Sequence, residues 1–136
     1  MSTYFHQMLN KAKVAIKHAY AIYSNFPVAC VIRSKSNAIY TGVNVENVAF
    51  PLGCCAEQSA LAAMVTAGER EIEEVLILGD KKDFCRPCGG CRQLLKEFAN
   101  NDCIVTIVTP EEKTEQHTIG RLLPGAFNAD LAHDDS

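Results

Sequence analysis

The chain has no tryptophan, no low-complexity run, no internal repeat and no excess of basic residues. Lysine and arginine number 13 against 16 aspartates and glutamates, leaving a formal net charge of -3 and a pI near 5.8. Affinity for nucleic acid comes mainly from neutralised phosphates, so this balance argues against a polynucleotide partner and for a small molecule. No apolar run approaches the ~20 residues needed to cross a bilayer, so no membrane partner is expected. The opening residues Met1-Ser2-Thr3-Tyr4-Phe5-His6-Gln7 lack the basic start and apolar middle of an export signal. A cytoplasmic location is therefore expected.

What remains is the composition of an ordinary globular protein, 48% hydrophobic and 21% charged. Its 136 residues suit one domain over 1–136 with a single core that buries roughly two thirds of the unfolded surface, and a polar tail, 128–136, expected to be loosely ordered. Cysteine is the plentiful exception. Seven is an odd number, and in a reducing compartment such thiols bind metal or do chemistry more often than they form disulfides.

Apolar residues recur at intervals of three and four from Phe5 through Met8, Leu9, Ala12 and Ile16 to Ala19 and Tyr20, which predicts an amphipathic helix over 3–20. Tyr23-Ser24-Asn25-Phe26-Pro27 breaks it, because Ser and Asn favour turns and the residue before proline is pushed out of the helical region. Val28 to Arg33 and Ala38 to Val45 read as a hairpin about Ser34-Lys35-Ser36-Asn37. Two further helices, from Cys55 to about Ala67 and from Cys88 to about Ala99, alternate with the buried strands Val75 to Gly79 and Cys103 to Val108; Leu94, Leu95 and Phe98 are the expected buried stripe of the second. That alternation implies two crossovers with both helices on one side of the sheet, their N-termini adjacent. Lys113 to Ile119 is expected to add an edge strand, and Ile119 to Leu123 a short helical turn.

Those two N-termini carry the chemistry. Cys54-Cys55-Ala56-Glu57 places thiols and a carboxylate at one; Pro87-Cys88-Gly89-Gly90-Cys91 places a C-x-x-C pair at the other. Unpaired backbone N–H groups and the helix dipole favour thiolates there, and zinc suits thiolates. Three protein ligands would leave a fourth position open for water, the mark of a catalytic rather than a structural zinc. Cys30 and Cys103, inside strands, read as buried apolar residues. Cys85 leaves an alternative open, because Cys85-x-x-Cys88-x-x-Cys91 offers three ligands without Cys55, or a four-thiolate zinc or iron-sulfur centre with it. Glu57 by itself would read as a charge favourable to the helix dipole.

Taken together the motifs resemble the small, homotetrameric, zinc-dependent cytidine deaminase family. The resemblance runs from Tyr23 to Phe127 through Tyr23-Ser24-Asn25-Phe26-Pro27-Val28, Thr41-Gly42-Val43-Asn44-Val45-Glu46-Asn47, Cys55-Ala56-Glu57, Pro87-Cys88-Gly89-Gly90-Cys91-Arg92-Gln93 and Leu122-Leu123-Pro124-Gly125-Ala126-Phe127; a glutamate followed by P-C-x-x-C is the mark of zinc deaminases. It implies a three-layer α/β/α sandwich about a mixed five-stranded sheet. It also implies one zinc ion per subunit on Cys55, Cys88 and Cys91, with Glu57 moving protons as bound water attacks C4 of cytosine. Asn44 and Glu46 would take the ribose hydroxyls and Ala56 the base through its backbone. Phe26 would lie against the nucleoside, with Phe50 and Phe127 reaching across subunit boundaries of a homotetramer to complete neighbouring sites.

The departures are Gln58, where the family commonly has arginine, Ala29 for a usual glycine and Phe50 for a frequent tyrosine. An arginine at 58 would offset part of the net negative charge of three thiolates on zinc; glutamine does not. Rival readings are a deaminase of a cytosine nucleoside antibiotic, like the blasticidin S deaminases, and outside that class a structural cysteine-zinc or iron-sulfur module.

Overall fold

The two apolar runs flanking Ser34-Lys35-Ser36-Asn37 form the expected hairpin in the computed structural model, which describes residues 1–128. Strands β1, Val28–Ser34, and β2, Ile39–Val43, pair antiparallel from Ala29 opposite Val43 to Arg33 opposite Ile39. Asn37 makes the turn possible by adopting φ of 70°, a left-handed conformation that asparagine tolerates better than most residues. β1 then pairs on its other side with β3, Ile72–Gly79, again antiparallel. Beyond β3 lie β4, Ala99–Val108, parallel to it, and β5, Thr114–Thr118, antiparallel to β4. The order is β2-β1-β3-β4-β5 in one mixed sheet.

Helices cover both faces. Residues alternate across each strand, so Ala29, Val31, Leu76, Leu78 and Val108 meet Phe5, Met8, Leu9 and Ala12 of helix α1, Phe5–Ala15. On the opposite face Cys30, Ile32, Val75, Ile77, Val105 and Ile107 pack against three helices. These are α2, Ala56–Thr66, α3, Gly89–Phe98, and the short α4, Ile119–Leu122. The architecture is thus an α/β/α sandwich. Cys30 and Cys103 are buried in this core, as apolar residues would be.

Both expected crossovers are present. α3 joins neighbours β3 and β4, whereas α2 passes over β1 to join β2 and β3, which are parallel to each other because each is antiparallel to β1. The intervening strand precedes both in the chain, so no local pattern announces it. The N-terminal helix is shorter than its periodicity suggests. After Ala15 the backbone tightens into a 3-10 turn, Ile16–His18, and extends at Ala19, so Tyr20 forms a parallel bridge with Val45 and stays 48% exposed. Leu94 is another correction: Cys91 and Leu95, four residues apart, define the buried line of α3, and Leu94 turns out to the surface. Among the described residues no helix is long and apolar enough to cross a membrane. Of the tail expected to be loose, 129–136 lies outside the described residues.

Candidate active site

The first fixed point is Gly42 on β2. It is buried under α2, and the close approach of the helix backbone at Ala56, Ser59 and Ala60 leaves no room for a side chain there. This seats α2 so that Cys55 is its N-cap residue and Glu57 lies in its first turn. α3 begins in the same way: Cys88 is its N-cap, and its sulfur accepts a hydrogen bond from the backbone N–H of Cys91 at 3.4 Å. The sulfur atoms of Cys55, Cys88 and Cys91 converge to within 4.8 Å of one another. Cys85 is not one of this group; its Cβ packs onto Gly79, where any added Cβ would stand 2.7 Å from it.

Three soft thiol donors at two helix N-termini fit zinc in donor type and in convergence. The Cys91 N–H beside the Cys88 sulfur holds that thiol below its ordinary pKa. Burial pushes the Cys55 and Cys91 thiols up, with Glu57 adding to the effect; a divalent cation among them would reverse that logic. Burial likewise raises the Glu57 carboxyl, and the nearby backbone N–H of Glu57 and thiol of Cys91 offset part of the effect. Glu57 is 6% exposed, so it is a buried acid near the thiol cluster, not a solvated charge on a helix end. Ala56 is also buried, and Gln58, one step round the helix, is exposed.

A single bridge brings the second motif to this cluster. Val45 and Cys54 exchange backbone hydrogen bonds at 3.0 and 2.9 Å, fixing Asn44 and Glu46 alongside the start of α2. Both side chains hold the turn before β1. Asn44 Nδ2 donates to the Phe26 carbonyl at 2.9 Å, and its Oδ1 accepts from the Val28 N–H at 3.0 Å. Glu46 Oε1 accepts from the Tyr23 and Ser24 N–H groups, each at 3.0 Å, and Oε2 accepts from the Ser24 hydroxyl. The Ser24 bonds lead in holding the Glu46 carboxyl below its usual range. Asn25 adopts φ of 54° in the turn, and Phe26, carried next, packs near Gly79.

Phe50 and Phe127 are 73% and 80% exposed in this chain. Phe50 meets Tyr23 edge to face, and the two help to line a cavity of about 370 Å³ with Ser24, Glu46, Asn47 and Gly53. The Phe127 carbonyl accepts from Gln93 Nε2 at 3.0 Å, so the segment bearing it hangs from the first turns of α3. Gly42 and Ser24 stand within the quoted motifs, but neither is expected from the sequence to position the site. A glycine inside a strand pattern was the available signal for the first; nothing local signals the second, whose partner lies 22 residues away.

The chain matches the family model described as the cytidine and deoxycytidylate deaminase zinc-binding region over residues 3–107. It is 38% identical over 121 residues to a cytidine deaminase of Mycoplasma genitalium, covering 88% of this chain and 92% of the relative. A cytidine deaminase of Sporosarcina psychrophila is 34% identical over 122 residues, 90% of each chain. Among solved structures, the crystal structure of cytidine deaminase from Burkholderia pseudomallei superposes with a TM-score of 0.86 at 32% identity, covering 93% of this chain and all of the other.

Proposed function

The chain belongs to the cytidine and deoxycytidylate deaminase zinc-binding family, enzymes of hydrolytic deamination, and we propose that its own substrates are the free nucleosides cytidine and deoxycytidine. The reaction takes one water molecule and gives uridine or deoxyuridine and ammonia. The observation that carries this reading is the convergence of the Cys55, Cys88 and Cys91 sulfurs at two helix N-termini, with buried Glu57 in the first turn of one of them.

Cys55, Cys88 and Cys91 would hold the zinc. When bound, zinc supplies Lewis-acid activation of water. Glu57 accepts a proton from the attacking water and delivers one to ring N3. It then passes the second to the departing amino group, so both water protons go through one carboxylate. Its burial keeps bulk water from competing for those protons. Ala56, at the first position of α2, has a backbone N–H with no partner inside the helix and offers it to the base. Asn44 and Glu46 take sugar hydroxyls with the hydrogen-bonding capacity that the turn leaves them, and Phe26 lies against the nucleoside.

The reading extends to a homotetramer in which Phe50 and Phe127 complete neighbouring sites. What supports it is a run of large apolar side chains left on the surface at 77% for Val48 and 73% for both Phe50 and Leu52, beside exposed Tyr20, Ile22 and Tyr23. Monomeric proteins rarely leave such a contiguous patch uncovered. The whole chain, 1–136, then acts as one catalytic domain, in the cytoplasm and in pyrimidine salvage, a setting that suits seven free thiols. An ultraviolet assay for loss of cytidine and deoxycytidine, with and without a chelator, is the test. Chelator-sensitive loss of both is expected; loss of neither would overturn the substrate assignment.

A further inference from the structure

The sugar-facing carboxylate is already nearly full. An ionised carboxylate has about four lone-pair positions and donates nothing. On Glu46 the Tyr23 and Ser24 N–H groups fill both positions of Oε1, and the Ser24 hydroxyl takes one of the two on Oε2. One acceptor position remains. Asn44 is similarly committed, with one Nδ2 hydrogen given to the Phe26 carbonyl and one Oδ1 lone pair to the Val28 N–H. What it has left is one donor and one acceptor. Ser24 and Glu46 both line the cavity of about 370 Å³ between Tyr23 and Phe50, so the acceptor position left on Glu46 borders open space of ligand size.

We propose that Ser24 is a specificity-determining residue: its hydroxyl occupies Glu46 Oε2 and leaves the carboxylate able to accept from a single sugar hydroxyl. That hydroxyl donates to Glu46 and accepts from Asn44 Nδ2. The second hydroxyl of a ribose vicinal diol is left with the neutral Asn44 Oδ1 in place of a charged acceptor, so ribose gains little over 2'-deoxyribose. Loss of the Ser24 hydroxyl frees a second position on the same oxygen, enough for both members of a diol. This rests on the reading that Glu46 faces the sugar.

Ser24 has a second bond to consider, because its Oγ also accepts from the Phe26 N–H at 3.1 Å. Loosening Phe26 would impair both nucleosides alike, whereas freeing a Glu46 acceptor favours ribose only. The readout is therefore the ratio of kcat/KM for cytidine to that for deoxycytidine. Ser24→Ala should raise this ratio about three- to tenfold, the worth of one net hydrogen bond, and Ser24→Thr should return it to the wild-type value. A ratio unchanged in Ser24→Ala, whatever happens to the absolute rates, overturns the proposal. Glu46→Gln, assayed on deoxycytidine against 2',3'-dideoxycytidine, tests the reading beneath it. If that variant discriminates against the dideoxy sugar as wild type does, Glu46 does not read the sugar and both fall. If its discrimination collapses while Ser24→Ala leaves the ribose ratio unmoved, only the role of Ser24 falls.

Discussion

Gly42 and Ala60 are in backbone contact: a Cβ on Gly42 would lie 2.1 Å from the Ala60 nitrogen and 2.6 Å from the Ala56 carbonyl oxygen. Neither atom belongs to a side chain that can swing aside, so α2 rides directly on β2. Since α2 begins at Cys55 and Glu57, the placement of a metal ligand and of the proton carrier depends on the absence of one methyl group.

Gly42→Ala should therefore displace the helix instead of filling a gap. Overpacking of this kind costs about 1–3 kcal/mol, and a shift of about 1 Å at a reacting group costs about 100-fold in rate. The expected result is a folded but less stable protein with depressed kcat and less than one zinc per chain. Gly89→Ala is the matched control, because a Cβ there meets nothing within 4 Å. Equal kcat and zinc content in the two variants would show that the contact does not position the site.

The roles of the thiols and the carboxylate separate by metal content. Cys55→Ala and Cys88→Ala should lose stoichiometric zinc, and Cys85→Ala should keep it, since the Cys85 sulfur is outside the converged group and burial pushes its thiol up to about 11. Glu57→Gln should keep zinc and lose about 10²–10⁴ in kcat, the usual worth of a positioned acid-base group. Zinc lost from Cys85→Ala with zinc retained in Cys55→Ala would restore the Cys85-Cys88-Cys91 ligand set. A coloured, iron-containing protein would replace zinc altogether.

How far these features were legible in the sequence differs with the kind of signal. The hairpin, α2, α3 and the buried strands follow from periodicity and turn residues, both repeated over several positions. The adjacency of the two helix N-termini follows from counting crossovers. The Val45–Cys54 bridge, which brings the Asn44 and Glu46 motif to the thiols, was not legible, because one isolated bridge repeats nothing. Tyr20 departs from the helical expectation for a related reason: its helical spacing from Ile16 is real, but pairing with Val45 outweighs a local preference that is weak at a helix end. The engagement of Glu46 by Ser24 rests on the path of the chain between them, which neither residue type encodes.

At the far edge of the sheet, Arg86 Nε and Nη2 donate to the two oxygens of Glu115 at 2.8 and 2.7 Å, and His117 Nε2 lies 2.7 Å from Oε1. Arg86, and after it His117, lower the Glu115 carboxyl to about 2. A depressed carboxylate contributes stability above its unfolded pKa of about 4.3 and loses it as pH falls through the folded value. Glu115→Gln should thus be less stable than wild type at pH 7 and 5, with the gap closing between about pH 4.3 and 2. Urea midpoints across that range measure it, and a gap that stays constant to pH 3 would detach the effect from ionisation.

The Arg33–Glu74 pair tests the opposite end of the sheet, away from the thiols. Arg33 Nη2 and Nε donate to Glu74 Oε1 at 2.9 and 3.3 Å, Ser2 Oγ donates to the same carboxylate at 2.9 Å, and Arg33 Nη1 donates to Asn37 at 2.8 Å. The Arg33 guanidinium also stacks over the Tyr4 ring, 4.2 Å from its centroid. Both partners are under 9% exposed, so removing one leaves a largely buried charge without its ion-pair partner. Arg33→Met should cost about 3–5 kcal/mol in urea unfolding, and Arg33→Met with Glu74→Leu should recover much of it, because two apolar residues replace a buried pair with little loss. A double variant that is as unstable as the sum of its singles would mean the pair is not coupled. Zinc content and kcat should be nearly unchanged in the double variant, since the metal ligands are on α2 and α3 and neither helix begins at this pair.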